Sequence, residues 1–333
     1  MKMELTKIKL DSNENQLEHY LDIINCIKEI DPKKYPDVTI SELRRKIAIS
    51  CSVKQNEIFC SNGSDILIKV ITLGLLKTTD EVIIPEIAFP TYEIAAKIKE
   101  CKYKKIPLKN YGIDLEATFD AITDDTKLIW ISNPHNPTGT ILEPEEIEEF
   151  LEKIPEHIYV VLDEAYVEFL TEKIPDTIRL YNKFKNLIVL RTFSKAYGLA
   201  GARVGYGFAR EEIINSFKHV IGPFDLNSYA QALAIKIIDE KEYVKEVRAA
   251  NKKAMDFYES LFKELNLDYI KSYASFVMVN AGEKADFICE KLLEENIIIK
   301  NGKHIEMENW IRISMGNQEQ NLKVAKILRD ILK

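Results

Sequence analysis

The chain has 333 residues, 46% of them hydrophobic and 30% charged, with 12 glycines and 11 prolines, a composition ordinary for a globular protein large enough for two domains. A formal net charge of −7 gives nucleic acid or an anionic membrane no electrostatic reason to bind. No stretch approaches the ~18–20 apolar residues that span a bilayer, and Met1 to Asn15 lacks the apolar core of a signal peptide. Five scattered cysteines without a C-x-x-C point to reduced thiols in a cytoplasm, and the five histidines show no metal-ligand spacing, so no metal is expected.

In chain order, Leu10 to Gln16 is too polar for a strand or a core helix. Leu17 to Ile30 has helical periodicity closed by Asp31-Pro32, and Ser41 to Ser50 reads as a helix with Ser41 as N-cap. Ile58-Phe59-Cys60 reads as a strand running into Ser61-Asn62-Gly63-Ser64-Asp65 and a helix from Ile66 to Leu76. Strand, small polar turn and helix start either aim N–H groups at a phosphate or simply cap a helix.

Glu81 to Ile84 is a strand followed by Phe89-Pro90-Thr91-Tyr92 and a helix to about Cys101. Leu128 to Ile131 is a strand ending in Ser132-Asn133-Pro134-His135-Asn136-Pro137-Thr138-Gly139, ahead of an amphipathic helix from Pro144 to Lys153. Tyr159 to Leu162 runs into Asp163-Glu164-Ala165-Tyr166, and Leu187 to Leu190 runs towards Thr192, Ser194 and Lys195. From about Ile235 the texture changes. Charged helices over Asp239 to Leu265 precede strands at Phe276 to Asn280, Ile297 to Lys300 and Trp310 to Ser314, then a last helix from Gln318 to Leu332.

The strands ending at Ile131, Leu162 and Leu190 stop 31 and then 28 residues apart, which suits βαβ units in a parallel sheet. In such sheets the ligand crevice lies beyond the carboxyl ends of the strands, so Asn136, Asp163, Tyr166 and Lys195 are expected around one pocket. A partly desolvated lysine can form a Schiff base with an aldehyde, and an aspartate can hold a pyridine nitrogen protonated. Tyrosine and asparagine can hydrogen-bond a phenolate on the same ring. Ser194, Arg203 and the Gly63-Ser64-Asp65 helix start could bind a phosphate. Together these are the requirements of pyridoxal 5′-phosphate.

The blocks Asn136-Pro137-Thr138-Gly139, Asp163-Glu164-Ala165-Tyr166 and Thr192-Phe193-Ser194-Lys195-Ala196-Tyr197-Gly198-Leu199-Ala200-Gly201-Ala202-Arg203 resemble the signatures of fold-type-I pyridoxal-phosphate aminotransferases, most of all the histidinol-phosphate aminotransferase group. The resemblance runs from Leu10 to the last helix. It implies an α/β fold with a large domain (30–230) built on a mostly parallel sheet flanked by helices. Residues 1–29 and 231–333 would form a smaller α+β domain.

By the same resemblance, Lys195 would carry the cofactor and shuttle protons, Asp163 would pair with the pyridinium nitrogen, and Asn136 and Tyr166 would bind the phenolic oxygen. Tyr92 would stack on the ring. Ser64, Asp65, Thr192, Ser194 and Arg203 would surround the phosphate, which Tyr35 would reach from the neighbouring subunit, making a homodimer with shared sites. Arg312 would grip the amino donor's carboxylate, with Asn13, Asn227 and Lys300 on the substrate side. The implied substrates are glutamate and a small phosphorylated ketone or amino alcohol. That partner could be of the histidinol phosphate type or a smaller three-carbon ketone such as dihydroxyacetone phosphate. The alternative is a decarboxylase of a phosphorylated amino acid.

Three positions depart from the group. Gln16 stands where a proline is usual, Asp225 where asparagine is common, which places an acid near the pocket, and Lys300 where an arginine often helps to bind the substrate phosphate. An NAD-dependent dehydrogenase is disfavoured because the glycines after Lys195 do not form G-x-G-x-x-G after a strand. A serine hydrolase is disfavoured because Ser194 lacks G-x-S-x-G. A non-catalytic sensor domain would normally be fused to a DNA-binding region, for which no room is seen before Leu10.

Overall fold

A short strand, β1 (Ile8–Leu10), opens the part of the chain that the computed structural model describes, residues 7–18 and 21–332. The larger sheet is built from β2 (Ile58–Ser61), β3 (Glu81–Pro85), β4 (Lys102–Ile106), β5 (Thr126–Ser132), β6 (Tyr159–Asp163), β7 (Leu187–Thr192) and β8 (Gly205–Phe208). Its spatial order is β2-β8-β7-β6-β5-β3-β4, parallel except for β8, which pairs antiparallel with both β7 and β2. A second sheet, of β9 (Tyr269–Ile270), β10 (Phe276–Asn280), β11 (Ile297–Asn301) and β12 (Trp310–Ser314), takes the order β1-β11-β12-β10-β9. The mostly parallel, helix-flanked α/β architecture expected from the sequence is the one formed.

The continuous apolar runs have a direct cause. Helices cover both faces of the larger sheet, so residues pointing either way along a strand are buried. Ile129, Ile131, Val160, Leu162 and Val189 pack with Leu43, Ile47, Phe150 and Tyr181 on one face. Leu128, Trp130, Val161, Ile188 and Leu190 pack with Leu67, Ile71, Tyr92 and Phe217 on the other. Ala234, Ile237, Tyr243 and Val247 belong to the first of these clusters. A third core joins Leu10 to Tyr258, Phe262, Val277, Val279, Ile311, Ile313 and Leu328 around the smaller sheet. No helix among the described residues is long and apolar enough to cross a membrane.

Several local expectations are corrected. The helix expected over Leu17 to Ile30 is shorter: Leu21–Asn25 is α-helical and Cys26–Glu29 is a 3-10 turn, while residues 19 and 20 lie outside the described ones. Ser41 is the first helical residue of Ser41–Cys51 and not its N-cap, and Ile40 in the cap position offers no side-chain acceptor. The capping carboxylate comes from Asp37. It accepts from the N–H groups of Thr39 (2.9 Å) and Ser41 (3.0 Å) and from both their hydroxyls, which hold it well down, at about 2.

Candidate active site

Three parallel strands end together. Ser132 closes β5 opposite Asp163, the last residue of β6, which in turn pairs with Leu190 of β7. The chain must turn away from the sheet at these ends, and their side chains border a cavity of about 300 Å³. Asn13, Ser64, Asp65, Tyr92, Asn136, Asp163, Tyr166, Thr192, Ser194, Lys195 and Arg203 all line it. Pocket residues not singled out in the sequence are Ser12, Phe89, Ser132, Pro134 and Ala165.

Asp163 is 5% exposed. It accepts from the Tyr92 hydroxyl at 2.7 Å and from the Ala165 N–H at 3.1 Å. Burial outweighs these bonds and pushes its carboxyl up to about 6. The Tyr92 ring stacks on Trp130 with centroids 4.7 Å apart. Behind it, the ring nitrogens of His135 lie 2.7 Å from the Ser132 hydroxyl and 2.8 Å from the Ile87 carbonyl. A carbonyl can only accept, so Nε2 carries the proton and Nδ1 accepts from Ser132. Burial holds this imidazole neutral, down at about 4. Nothing in the histidine spacing pointed to this role.

Lys195 follows β7 and donates to the Ser12 carbonyl at 2.8 Å. Burial, and then the nearby Arg312 guanidinium, bring its amine down to about 8. At one side of the cavity the helix Ser64–Leu75 begins, presenting the unpaired N–H groups of a first turn. Arg203 stands over it, donating to Asp65 (2.7 Å), the Ala200 carbonyl (3.0 Å) and the Ser194 hydroxyl (3.4 Å). The Ser194 N–H in turn donates to Thr192 Oγ1 at 3.1 Å.

Two glycines make this cup possible. Gly63 has φ +103°, and a Cβ there would lie 2.4 Å from Arg203 Nη2; a Cβ on Gly205 would lie 2.2 Å from the Ser64 nitrogen. Asp225 does not line the cavity. Its carboxylate accepts from the Ser61 hydroxyl and from the Asn62 N–H (3.2 Å), bracing the turn that leads into the cup.

Arg312, 6% exposed, donates to Asn136 Oδ1 at 2.7 Å and to the Asp11 carbonyl at 2.9 Å. Its Nε–H is buried and has no partner among the described residues. Arg312 reaches the cavity through Asn136 and does not itself border it. Neither do Lys300, Asn227 and Tyr35. Lys300 faces Arg312 across the β11–β12 register, so both side chains leave the sheet on one face. Asn227 caps the helix Ser228–Ile237 by accepting from the Ala230 N–H at 2.8 Å. Tyr35 is 80% exposed and stacks on Phe224 with centroids 4.3 Å apart.

A buried amine brought down to about 8, a carboxyl lining the same pocket and a helix start joined by an arginine fit the aldehyde, pyridine nitrogen and phosphate of pyridoxal 5′-phosphate. Fold and site together define a fold-type-I enzyme of the pyridoxal-phosphate class. Residues 6–328 match the family aminotransferase class I and II, and the chain belongs to that family.

Histidinol-phosphate aminotransferase from Caldicellulosiruptor saccharolyticus is 40% identical over 98% of this chain and 92% of the relative. Histidinol-phosphate aminotransferase 2 from Carboxydothermus hydrogenoformans is 38% identical over 98% and 91%. Among solved structures, histidinol-phosphate aminotransferase from Sinorhizobium meliloti in complex with pyridoxal-5′-phosphate superposes with a TM-score of 0.90 at 25% identity, covering 98% of this chain and 91% of that one. Aspartate aminotransferase from Thermus thermophilus with maleate has the same fold, with a TM-score of 0.87 at 21% identity over 98% and 92%.

Proposed function

We propose that the enzyme moves an amino group between glutamate or 2-oxoglutarate and a small phosphorylated ketone or amino alcohol. The partner is of the histidinol phosphate type or a three-carbon ketone such as dihydroxyacetone phosphate. The observation that carries this reading is Arg312, a buried guanidinium with an unpartnered Nε–H bonded to a pocket asparagine. A planar fork with an unused donor suits a carboxylate. The names of the relatives supply the phosphorylated partner.

The cofactor supplies an aldehyde carbon for the lysine and an electron-withdrawing pyridine ring. Lys195, with its amine brought to about 8, takes and returns the proton at the substrate Cα. Asp163, at about 6, is ionised at neutral pH and holds the proton on the ring nitrogen. Tyr166 and Asn136 bind the ring's phenolic oxygen, and Tyr92 packs on its face. The Ser64 and Asp65 N–H groups, with Thr192, Ser194 and Arg203, hold the phosphate. Arg312 takes the glutamate carboxylate and Asn13 borders the substrate side, while Asn227 and Lys300, outside the cavity lining, shape that side from behind it. Tyr35 completes the phosphate site of a second copy.

The test is a half-reaction followed by absorbance. The loaded protein is mixed with glutamate, then with a panel of phosphorylated ketones. Loss of the long-wavelength band with glutamate and its return with one compound is the expected result. Silence towards glutamate, with carbon dioxide released from a phosphorylated amino acid, would replace the reading with decarboxylation.

A further inference from the structure

Ser314 lies two residues beyond Arg312 on β12, is fully buried and does not border the cavity. It is bonded twice to Asn13. The Asn13 backbone N–H donates to Ser314 Oγ at 2.9 Å, and Ser314 Oγ lies 3.0 Å from Asn13 Oδ1. A backbone N–H can only donate, so Ser314 accepts there, and its single proton goes to the asparagine oxygen. That choice orients the amide. Asn13 Nδ2 then faces Tyr166 and donates to its hydroxyl oxygen at 2.9 Å. With its oxygen accepting, Tyr166 keeps its own proton for an acceptor in the cavity it lines.

Asn13 sits in the left-handed region at φ 57°, an uncommon conformation for a residue with a side chain. The pair of bonds to Ser314 pins it there.

We propose that Ser314 is a positioning residue that sets the direction of Tyr166's hydrogen bond through Asn13. It thereby tunes how strongly Tyr166 donates to the phenolic oxygen of the bound cofactor. This rests on the reading of Tyr166 as that donor. A hydroxyl that accepts one hydrogen bond becomes a better donor in the next, because chains of hydrogen bonds polarise one another. Without the Ser314 proton the Asn13 amide is free to turn, and its oxygen can then compete for the Tyr166 proton.

The readout is the pH at which the long-wavelength absorbance band of the bound cofactor titrates, measured without substrate. A donor on the phenolic oxygen stabilises its anionic form and lowers the basicity of the nitrogen beside it, so losing that donor moves the titration upward. Tyr166→Phe sets the full effect. Ser314→Ala should shift the midpoint in the same direction by about half to one pH unit, the worth of one ordinary hydrogen bond. Asn13→Gly, which tolerates the positive φ, should give a similar shift.

The double variant should shift no further than either single one, since both break one relay. Ser314→Thr, which keeps the hydroxyl, should restore the original midpoint. An unmoved midpoint in Ser314→Ala, or additive shifts in the double variant, would overturn the proposal while leaving Tyr166's role intact. An unmoved midpoint in Tyr166→Phe would instead overturn the reading of Tyr166, and the relay with it.

Discussion

Lys195 is brought to about 8 because burial strips water from its ammonium and Arg312 stands close by. The same burial destabilises the cofactor-free fold. The unfolded chain holds this proton up to its ordinary value near 10.5, whereas the folded one releases it near 8. Folding therefore becomes more favourable as pH rises between those values, and below 8 the penalty is constant at about 3 kcal/mol. Lys195→Met should raise the melting temperature of the cofactor-free protein at pH 7 by several degrees, the lost bond to Ser12 offsetting part of the gain. The difference should shrink towards pH 10.5, and thermal unfolding across that range checks it. Lys195→Ala should lack both turnover and the long-wavelength band. Arg312→Ala should lower kcat/KM for glutamate roughly 10- to 100-fold, the worth of a charged hydrogen bond, and affect the phosphorylated partner far less; steady-state kinetics with each substrate varied would show equal losses if the role is misassigned. Lys195, Asp163 and Asn136 were legible because each stands where an apolar run stops. Ser314 and His135 were not: Ser314 acts on a residue 301 positions away, and His135 acts through a carbonyl.

At the scale of the element, apolar runs announced the central strands and the edge strand β2, while β4 at the other edge and β8 inside the sheet stayed silent. β4 reads Lys-Tyr-Lys-Lys-Ile, a charged edge strand of the kind that discourages further pairing. Its lysines follow from the exposed edge and hide the strand from a search for hydrophobicity. β8 reads Gly-Tyr-Gly-Phe and looks like a turn until its neighbours are known. Gly205 must lack a side chain because the strand passes against the first N–H of the helix Ser64–Leu75. Gly205→Ala should therefore push that helix start aside and weaken cofactor affinity at least tenfold, about 1.4 kcal/mol. Gly201→Ala, where nothing lies within 4 Å of the added Cβ, should leave affinity unchanged. Titrating the cofactor-free variants with pyridoxal phosphate compares the two. The turn at Asp37 teaches the same point on a smaller scale. Ser41 had the right residue type for a cap, but Ile40 holds the cap position and the carboxylate four residues before Ser41 supplies the capping bonds.

Across the whole molecule, a polar segment that the sequence left as neither strand nor helix joins the two sheets at the site. After β1, the carbonyls of Asp11 and Ser12 accept from Arg312 and Lys195, and Asn15 donates to the Ala196 carbonyl and the Tyr243 hydroxyl, both at 3.0 Å. Its polar residues are spent on partners far along the chain, which no local pattern could reveal. Tyr35 is the remaining case. In the single chain its ring lies outside the cavity, exposed on Phe224, so the role proposed for it needs a second copy in which each subunit completes the other's phosphate site. Mixing separates that arrangement from a local role. Lys195→Ala and Tyr35→Ala subunits, each impaired alone, would be dissociated, combined in equal amounts and reassociated, with turnover measured at limiting cofactor. If Tyr35 acts across the interface, every mixed dimer holds one intact site, and random pairing restores about a quarter of normal activity. If it acts within its own chain, each site of a mixed dimer lacks either the lysine or the tyrosine, and the mixture stays no more active than its parts.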